Sequence, residues 1–393
     1  FLCVIKITPI TDIKIENLLK FLRRILLLSV DKIKNNNSAL ELISAIAKQC
    51  FINEYLYSSE MKEKKTQLYI ENYILKKIKE KKYNECTLEI TCLASYKSLN
   101  SYKWSKNISG IREISELIKL QISEPDIEKG LKKKILYKNI KDSVSLKVKN
   151  QYEESPYPRW IKIALSKPDT VLNYSKNRNL YINNKVKNWT NIDVLVAGCG
   201  TGQHAITTAT KFKNSFITAI DLSSKSLSYA KRKANDLGIK NIDFIQMDIL
   251  DLEDYGKKFE IIESVGVLHH MKNPFLGWQI LSEILKPNGL LMIGLYSSKA
   301  RTHIKELRTY IKNISNSEDI KSIREDLIQI DNKNTELIKQ SPDFYSLSSV
   351  RDLLFHVQEN TFTISEIENN IKELNLKFCG FENKEIINKF KKI

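Results

Sequence analysis

Hydrophobic positions in the second half of the chain form short continuous runs that alternate with helical stripes. The runs predict strands at 194–197, 216–220, 244–247, 259–264 and 290–296, because a parallel strand covered on both faces reads as uninterrupted apolar sequence. Between the runs, apolar residues recur at helical spacing, as at Leu227, Ala230 and Ala234. This alternation predicts an α/β fold with a doubly wound, mainly parallel sheet.

The first third of the chain shows helical spacing alone. Its apolar stripes are Ile15–Leu18–Leu19–Leu22–Ile25–Leu26, Ile43–Ile46–Ala47–Cys50 and Ile111–Ile114–Leu117–Ile118. Only two of the 12 glycines precede residue 198. We therefore expect an all-α domain at 1–145, a linker or lid at 146–190, an α/β core at 191–298, and a helical insertion with the last strand, 376–381, at 299–393.

The strongest local signal is a glycine-rich turn that follows the first apolar run. Gly198, Gly200 and Gly202 come directly after that strand. Asp221, 19 residues after Gly202, ends the next strand. Glycine permits positive φ and lets a ligand approach the backbone, while a terminal carboxylate can accept bonds from ribose hydroxyls. The spacing G-x-G-x-G differs from the G-x-G-x-x-G of a pyrophosphate site. An ordinary tight turn is the alternative.

Five elements in order resemble a class I S-adenosylmethionine-dependent methyltransferase. They are Gly198–Gly202, Asp221, Met247–Ile249, Val267–His270 and Leu285–Gly289. The resemblance implies a Rossmann-like sheet and the cofactor S-adenosyl-L-methionine. It implies that the glycine loop holds the methionine end, Asp221 the ribose, and Asp248 with Ile249 the adenine. The cofactor-binding residues expected in this core are Gly198, Cys199, Gly200, Thr201, Gly202, Gln203, Asp221, Leu222, Asp248, Ile249, Ser264, Val265 and Leu268.

Aromatic residues and prolines are concentrated at 151–160. Pro156 and Pro158 interrupt any continuous helix there. One interpretation is a linker anchored by its aromatic side chains. The other is a lid, from which Tyr152 and Arg159 would reach the cofactor or the acceptor. With the cluster at 344–359, this segment resembles a bacterial group of methyltransferases preceded by tetratricopeptide repeats, although recognisable repeats are absent here. Because the chain opens with Phe1 and little follows residue 381, we expect a fragment or a processed product.

Three histidines are candidates for a general base, which methyl transfer needs only where the nucleophile carries a proton. They are His269, His270 and His356, the last on a helix capped by Ser348 with Asp352 one turn earlier. Packing or loop hydrogen bonding is the alternative role. We expect no metal site, because no third ligand is evident near His269 and His270. An N/D-P-P-Y signature is absent, which disfavours methylation of DNA adenine or of glutamine amides.

Charge and cysteine content narrow the function further. The net charge is +17, of which residues 1–150 supply +12 from 29 basic and 17 acidic side chains, so the core is nearly neutral. This distribution disfavours nucleic acid as the acceptor. The six cysteines show no metal-ligand spacing, and no apolar run is long enough to span a membrane. We expect a cytoplasmic methyltransferase with a small-molecule, peptide or protein acceptor. The alternatives are a module whose residues 1–145 recruit a protein partner, and a nucleic-acid methyltransferase.

Overall fold

The computed structural model describes residues 1–34, 36–183, 185–186, 189–314 and 319–383. These residues form two compact units. The helical unit contains Phe1–Gly130, Tyr157–Lys162 and His303–His356, and the sheet unit contains Leu131–Pro156, Ile163–Thr302 and residues 357–383. The division differs from the boundaries expected from sequence, because most of the segment after residue 299 belongs with the first 130 residues and not with the sheet.

The helical unit is built from α-helices joined by short turns. Its helices are α1 (Leu2–Ile5), α2 (Ile13–Leu28), α3 (Asn37–Ile52), α4 (Met61–Lys79), α5 (Thr87–Leu93), α6 (Ser115–Ile118), α7 (Glu124–Lys132, whose end lies in the sheet unit), α13 (from Thr302, also in the sheet unit, to Ile314), α14 (Ile320–Gln329), α15 (Lys333–Lys339) and α16 (Leu347–Phe355). The two predicted stripes on α3 and around α6 are confirmed, because all their residues are buried. Helix α16 begins after Ser346 and not after the predicted Ser348.

Helix α2 buries only part of the predicted stripe, since Leu19 is buried and Ile15, Leu22 and Leu26 pack against the core. Leu18 and Ile25 are half-exposed, whereas Glu16 and Arg23 are almost fully buried. Arg324 of α14 donates two hydrogen bonds to the Glu16 carboxylate, at 2.8 and 2.7 Å. The prediction was wrong at Leu18 and Ile25, because buried ionic contacts take the place of apolar residues on this face and periodicity of apolar positions cannot detect them.

The sheet unit contains one six-stranded parallel sheet in the order β1-β4-β3-β2-β5-β6. The strands are β1 (Leu136–Tyr137), β2 (Ile192–Ala197), β3 (Ser215–Asp221), β4 (Ile242–Gln246), β5 (Phe259–Val265) and β6 (Leu285–Gly294). The helices are α8 (Ser143–Glu154), α9 (Val171–Asn177), α10 (Gln203–Lys211), α11 (Ser224–Asp236), α12 (Pro274–Glu283) and α17 (Ile364–Glu373). The predicted doubly wound, Rossmann-like fold is confirmed. Strand order reverses between β2 and β5, where such sheets open a ligand-binding crevice.

At the edges of the sheet, one predicted strand is absent and one observed strand was not predicted. No strand forms at 376–381, where Leu376 packs against the core between the sheet and its helices. The edge strand that was not predicted is β1, which lies within the region expected to be all-α. Its residues Leu136 and Tyr137 are exposed. A two-residue strand is too short to show any periodicity, so the sequence pattern could not reveal it.

Helix α8, which covers the start of the expected linker, is part of the sheet unit. Asp142 caps α8 by accepting from the N–H groups of Val144 and Ser145. Near the other end of α8, the Glu153 carboxylate accepts from the Ser224 hydroxyl at 2.7 Å and from the Lys225 N–H at 3.1 Å. These bonds fix α8 to the start of α11. No helix in the described part of the chain combines the length and apolar character needed to cross a bilayer.

Candidate cofactor site at the carboxyl edge of the sheet

The glycine loop connects β2 to α10 in a conformation that only glycine adopts readily. Gly198, Gly200 and Gly202 have φ values of +79°, +53° and +84°. A Cβ at Gly198 would lie 2.3 Å from Cγ2 of Val267, and one at Gly202 would lie 2.5 Å from Cβ of Ala230. The glycines therefore serve both the turn and the close packing of the loop against the segment after β5 and against α11.

The Asp221 carboxylate joins the glycine loop to the end of β3. Its Oδ2 accepts from the Gly200 N–H at 2.8 Å, and its Oδ1 accepts from the Ser223 N–H at 2.9 Å. Burial raises the pKa of Asp221 to about 6, although these two N–H groups oppose the increase. Each carboxylate oxygen has a second lone pair, so Asp221 can accept further bonds from a diol without releasing the loop.

The turn after β4 presents a second buried carboxylate. Asp248 is 4% exposed, and its Oδ1 accepts from the Leu250 N–H at 3.1 Å. Its Oδ2 has no hydrogen-bond partner of normal geometry among the described residues. Burial raises the pKa of this group, although the nearby Ser145 hydroxyl opposes the increase. A buried acceptor without a donor is costly unless a ligand supplies the donor, and an exocyclic amine is such a group. Ile249 beside it is buried in the core.

The remaining expected cofactor residues differ in how far they are exposed. Val265, the last residue of β5, is 44% exposed, whereas Ser264 and Leu268 are fully buried. The Ser264 hydroxyl makes no hydrogen bond within the described ranges. In the loop, Cys199 and Thr201 are buried and Gln203 is exposed. Burial raises the pKa of the Cys199 thiol well above its usual value, which keeps it protonated. The half-buried Leu222 uses its carbonyl to accept from Gln246.

The donors and acceptors in this part of the sheet unit fit an adenosine ligand with a charged amino-acid end. Asp221 offers acceptors for a diol, and Asp248 offers one for an amine. The glycine loop brings backbone close to the start of α10, where N–H groups carry partial positive charge that favours a carboxylate. All of these groups lie at the carboxyl ends of β2, β3 and β4, as a single bound molecule requires.

The two adjacent histidines lie in the turn after β5 and are both buried. His269 is 0% exposed, and its ring stacks on Tyr296 with centroids 3.9 Å apart. His270 is 6% exposed, and its Nδ1 donates to the Gln358 carbonyl at 2.7 Å. Asn360 donates to the carbonyls of His269 and Met271. The segment around residues 358–360 therefore holds this turn in place.

The three other expected site residues are divided between the two units. His356 ends α16 in the helical unit, with its Nε2 3.9 Å from Oδ1 of Asp352. Arg159 also belongs to the helical unit, and its guanidinium lies 4.0 Å from the centre of the Phe51 ring. Tyr152 lies half-buried on α8 in the sheet unit. The structure thus does not bring these three residues into one unit, and their expected roles stay predictions.

Sequence reasoning missed a buried charged cluster beneath the glycine loop. Glu263 is 2% exposed and contacts His204, Thr208 and Lys211 of α10. The sequence did contain a signal for this cluster, which is a glutamate within the apolar run of β5. A charge buried in a sheet needs a partner, so such a residue indicates that one is present.

A family model described as a methyltransferase domain matches residues 188–343. An uncharacterized protein of a Synechococcus strain is 28% identical over 49% of this chain and 49% of its own. A probable (S)-tetrahydroprotoberberine N-methyltransferase of Papaver bracteatum is 33% identical over 29% of this chain and 31% of its own. A solved structure of PKMT2 from Rickettsia typhi with AdoHcy is 18% identical, covers 56% of this chain and 48% of that chain, and gives a TM-score of 0.43.

The family match and the sheet agree with the resemblance that the motifs indicated. Residues 188–343 are thus similar to a methyltransferase domain, and the fold and motifs of this region agree with the class I type that uses S-adenosylmethionine. The chain spans less than half the length of the two curated relatives just described.

Proposed function

We propose that the chain transfers a methyl group from S-adenosylmethionine to a nitrogen or oxygen atom of a small molecule, peptide or protein. The observation that carries the proposal is the glycine loop fixed by the bond from the Gly200 N–H to Asp221 at the carboxyl edge of the parallel sheet. The match to a family of methyltransferase domains supports it, as does a relative named as an N-methyltransferase.

In this proposal each polar group at the sheet edge has one role. Asp221 accepts from the ribose hydroxyls, the glycine loop and the start of α10 bind the methionine end, and Oδ2 of Asp248 accepts from the adenine amine. When bound, S-adenosylmethionine supplies an electrophilic methyl group on a positively charged sulfur. The exposed end of β5 at Val265 faces the acceptor side. Tyr152 and Arg159 are proposed to contact the methionine carboxylate or the acceptor, and His269, His270 and His356 remain candidate bases.

Incubation of the full chain with methyl-labelled S-adenosylmethionine and fractionated cell extract tests the proposal. We expect label in small molecules or protein, and loss of that label in Asp221→Ala. The matched control is Asp243→Ala, which removes an exposed carboxylate from β4 of the same sheet. Equal transfer by Asp221→Ala and the parent protein would contradict the site. Label confined to RNA or DNA would contradict the acceptor class.

We further propose that residues 1–145 recruit a protein partner. The observation in favour is a row of exposed apolar side chains on α2, in which Leu18, Phe21 and Ile25 are 50%, 59% and 45% exposed. Residues at this spacing lie on one side of a helix and form an apolar strip suited to a partner surface. Phe21→Glu should reduce labelling of protein acceptors and leave S-adenosylmethionine binding unchanged. Full protein labelling by this variant would exclude α2 as the contact.

A further inference from the structure

Three side chains of α10 converge on one buried carboxylate of β5. Oε2 of Glu263 accepts from Nε2 of His204 at 2.8 Å and from the Thr208 hydroxyl at 2.5 Å. Oε1 accepts from Nζ of Lys211 at 2.5 Å. The cluster therefore joins the helix that follows the glycine loop to the strand that leads to Val265.

The charge of Glu263 fixes the tautomer of His204. Burial by itself would raise the pKa of Glu263, but the His204 hydrogen bond and the Lys211 charge outweigh it and lower the pKa to about 2. Tyr174 of α9 also faces the cluster, and its phenol stays protonated because burial and the hydrogen bond to Glu382 raise its pKa. An ionised carboxylate only accepts, so Nε2 of His204 carries the hydrogen and Nδ1 is the basic nitrogen.

His204 lies next to the proposed cofactor and acceptor sites. It is the second residue of α10, two positions after Gly202, and its side chain is 38% exposed. Its partner Glu263 is two positions before Val265, the exposed end of β5. The close packing of Val267 against Gly198 shows that the chain leaving β5 touches the glycine loop. His204 thus lies where the strand order of the sheet reverses.

Exposure separates His204 from the other histidines of the sheet unit. His269 is 0% exposed with its ring on Tyr296, and His270 is 6% exposed with Nδ1 bound to a carbonyl. A proton acceptor must come within hydrogen-bond reach of the acceptor molecule. Of these three imidazoles, His204 is the most accessible, and it is the one whose Nε2 lies 2.8 Å from a buried carboxylate.

We propose that His204 accepts the proton of the methyl acceptor and that Glu263 is its positioning residue, an inference that rests on the proposed function. The acceptor lone pair forms the bond to the methyl carbon, and the carbon–sulfur bond breaks with its electron pair left on sulfur. The acceptor proton passes to Nδ1 of His204, and the imidazolium is held by the Glu263 carboxylate.

Nitrogen NMR of the full chain, with its five histidines labelled, tests this placement without knowledge of the acceptor. The imidazole signals are titrated in the free protein and in saturated complexes with S-adenosylmethionine and with S-adenosylhomocysteine. The two ligands differ by the methyl group and one positive charge on sulfur. His204→Gln identifies the signal that belongs to His204.

We expect neutral His204 to be the Nε2–H tautomer. We also expect its pKa to be lower in the S-adenosylmethionine complex than in the S-adenosylhomocysteine complex by roughly half a unit or more, as a unit charge within about 8 Å would cause. Equal pKa values in the two complexes, or the Nδ1–H tautomer, would overturn the inference. Calorimetry on the same samples distinguishes failure of the His204 proposal from failure of the proposed function. A protein that binds neither ligand would refute the proposed function.

Discussion

Replacing Glu263 by glutamine should destabilise the sheet unit in a manner that depends on pH. The glutamine amide keeps the size of the side chain, but it removes the charge and places an N–H group where Lys211 and His204 donate. Lys211 is 8% exposed, so its charge would then be buried without its counterion.

The size of the effect follows from the pKa of Glu263, which is lowered from 4.5 to about 2. At about 1.4 kcal/mol per pKa unit, the charged carboxylate contributes about 3 kcal/mol to folding at pH 7. Because the pKa is lower in the folded state, this contribution is complete above pH 4.5 and is lost as pH falls through 2. At pH 3 it should be about 1.4 kcal/mol, somewhat less than half.

Urea unfolding followed by circular dichroism, at pH 7 and pH 3, measures the difference between the parent protein and Glu263→Gln. The control is Glu253→Gln, which neutralises an exposed glutamate of the same unit and should change stability little at either pH. A loss below about 0.5 kcal/mol at pH 7, or an equal loss at both pH values, would refute the electrostatic account of this cluster.

Three further predictions concern other parts of the chain. Because the pKa of Asp221 is raised to about 6, affinity for S-adenosylmethionine measured by calorimetry should be nearly constant above about pH 7 and fall about tenfold by pH 5. A flat profile would contradict the role of Asp221. Gly202→Ala should weaken this binding at least about tenfold, through its positive φ and its contact with Ala230, whereas Gly238→Ala, with similar φ in open space, should leave binding intact. Glu16→Ala should lower the stability of the helical unit by about 3–5 kcal/mol in thermal unfolding, and Glu16→Leu combined with Arg324→Met should restore most of it; equal losses would argue against an unpaired buried charge as the cause.

The strands that carry the glycine loop could be predicted because each is covered on both faces. Their apolar runs are continuous, and the acidic residues Asp221 and Asp248 stand at the end of β3 and in the turn after β4, where a ligand can reach them. The positive φ at Gly198, Gly200 and Gly202 agrees with the conformational argument made from residue type alone.

The parts that sequence reasoning missed depend on contacts between residues distant in the chain. Glu16 forms an ion pair with Arg324, which lies 308 positions later in the chain, and nothing near either residue in the sequence predicts the pair. Glu263 and His204 are 59 positions apart, and only the fold shows that a histidine beside the glycine loop has a buried carboxylate behind it. Polar residues inside apolar patterns are therefore the positions where periodicity fails and long-range pairing should be sought.

Titration calorimetry of the full chain with S-adenosylmethionine tests the central claim most directly. The account predicts one saturable site per chain, an affinity reduced at least about tenfold by Asp221→Ala through the loss of charge-assisted hydrogen bonds, and an unchanged affinity in the control Asp243→Ala. No binding by the parent protein, or equal binding by Asp221→Ala, would contradict it.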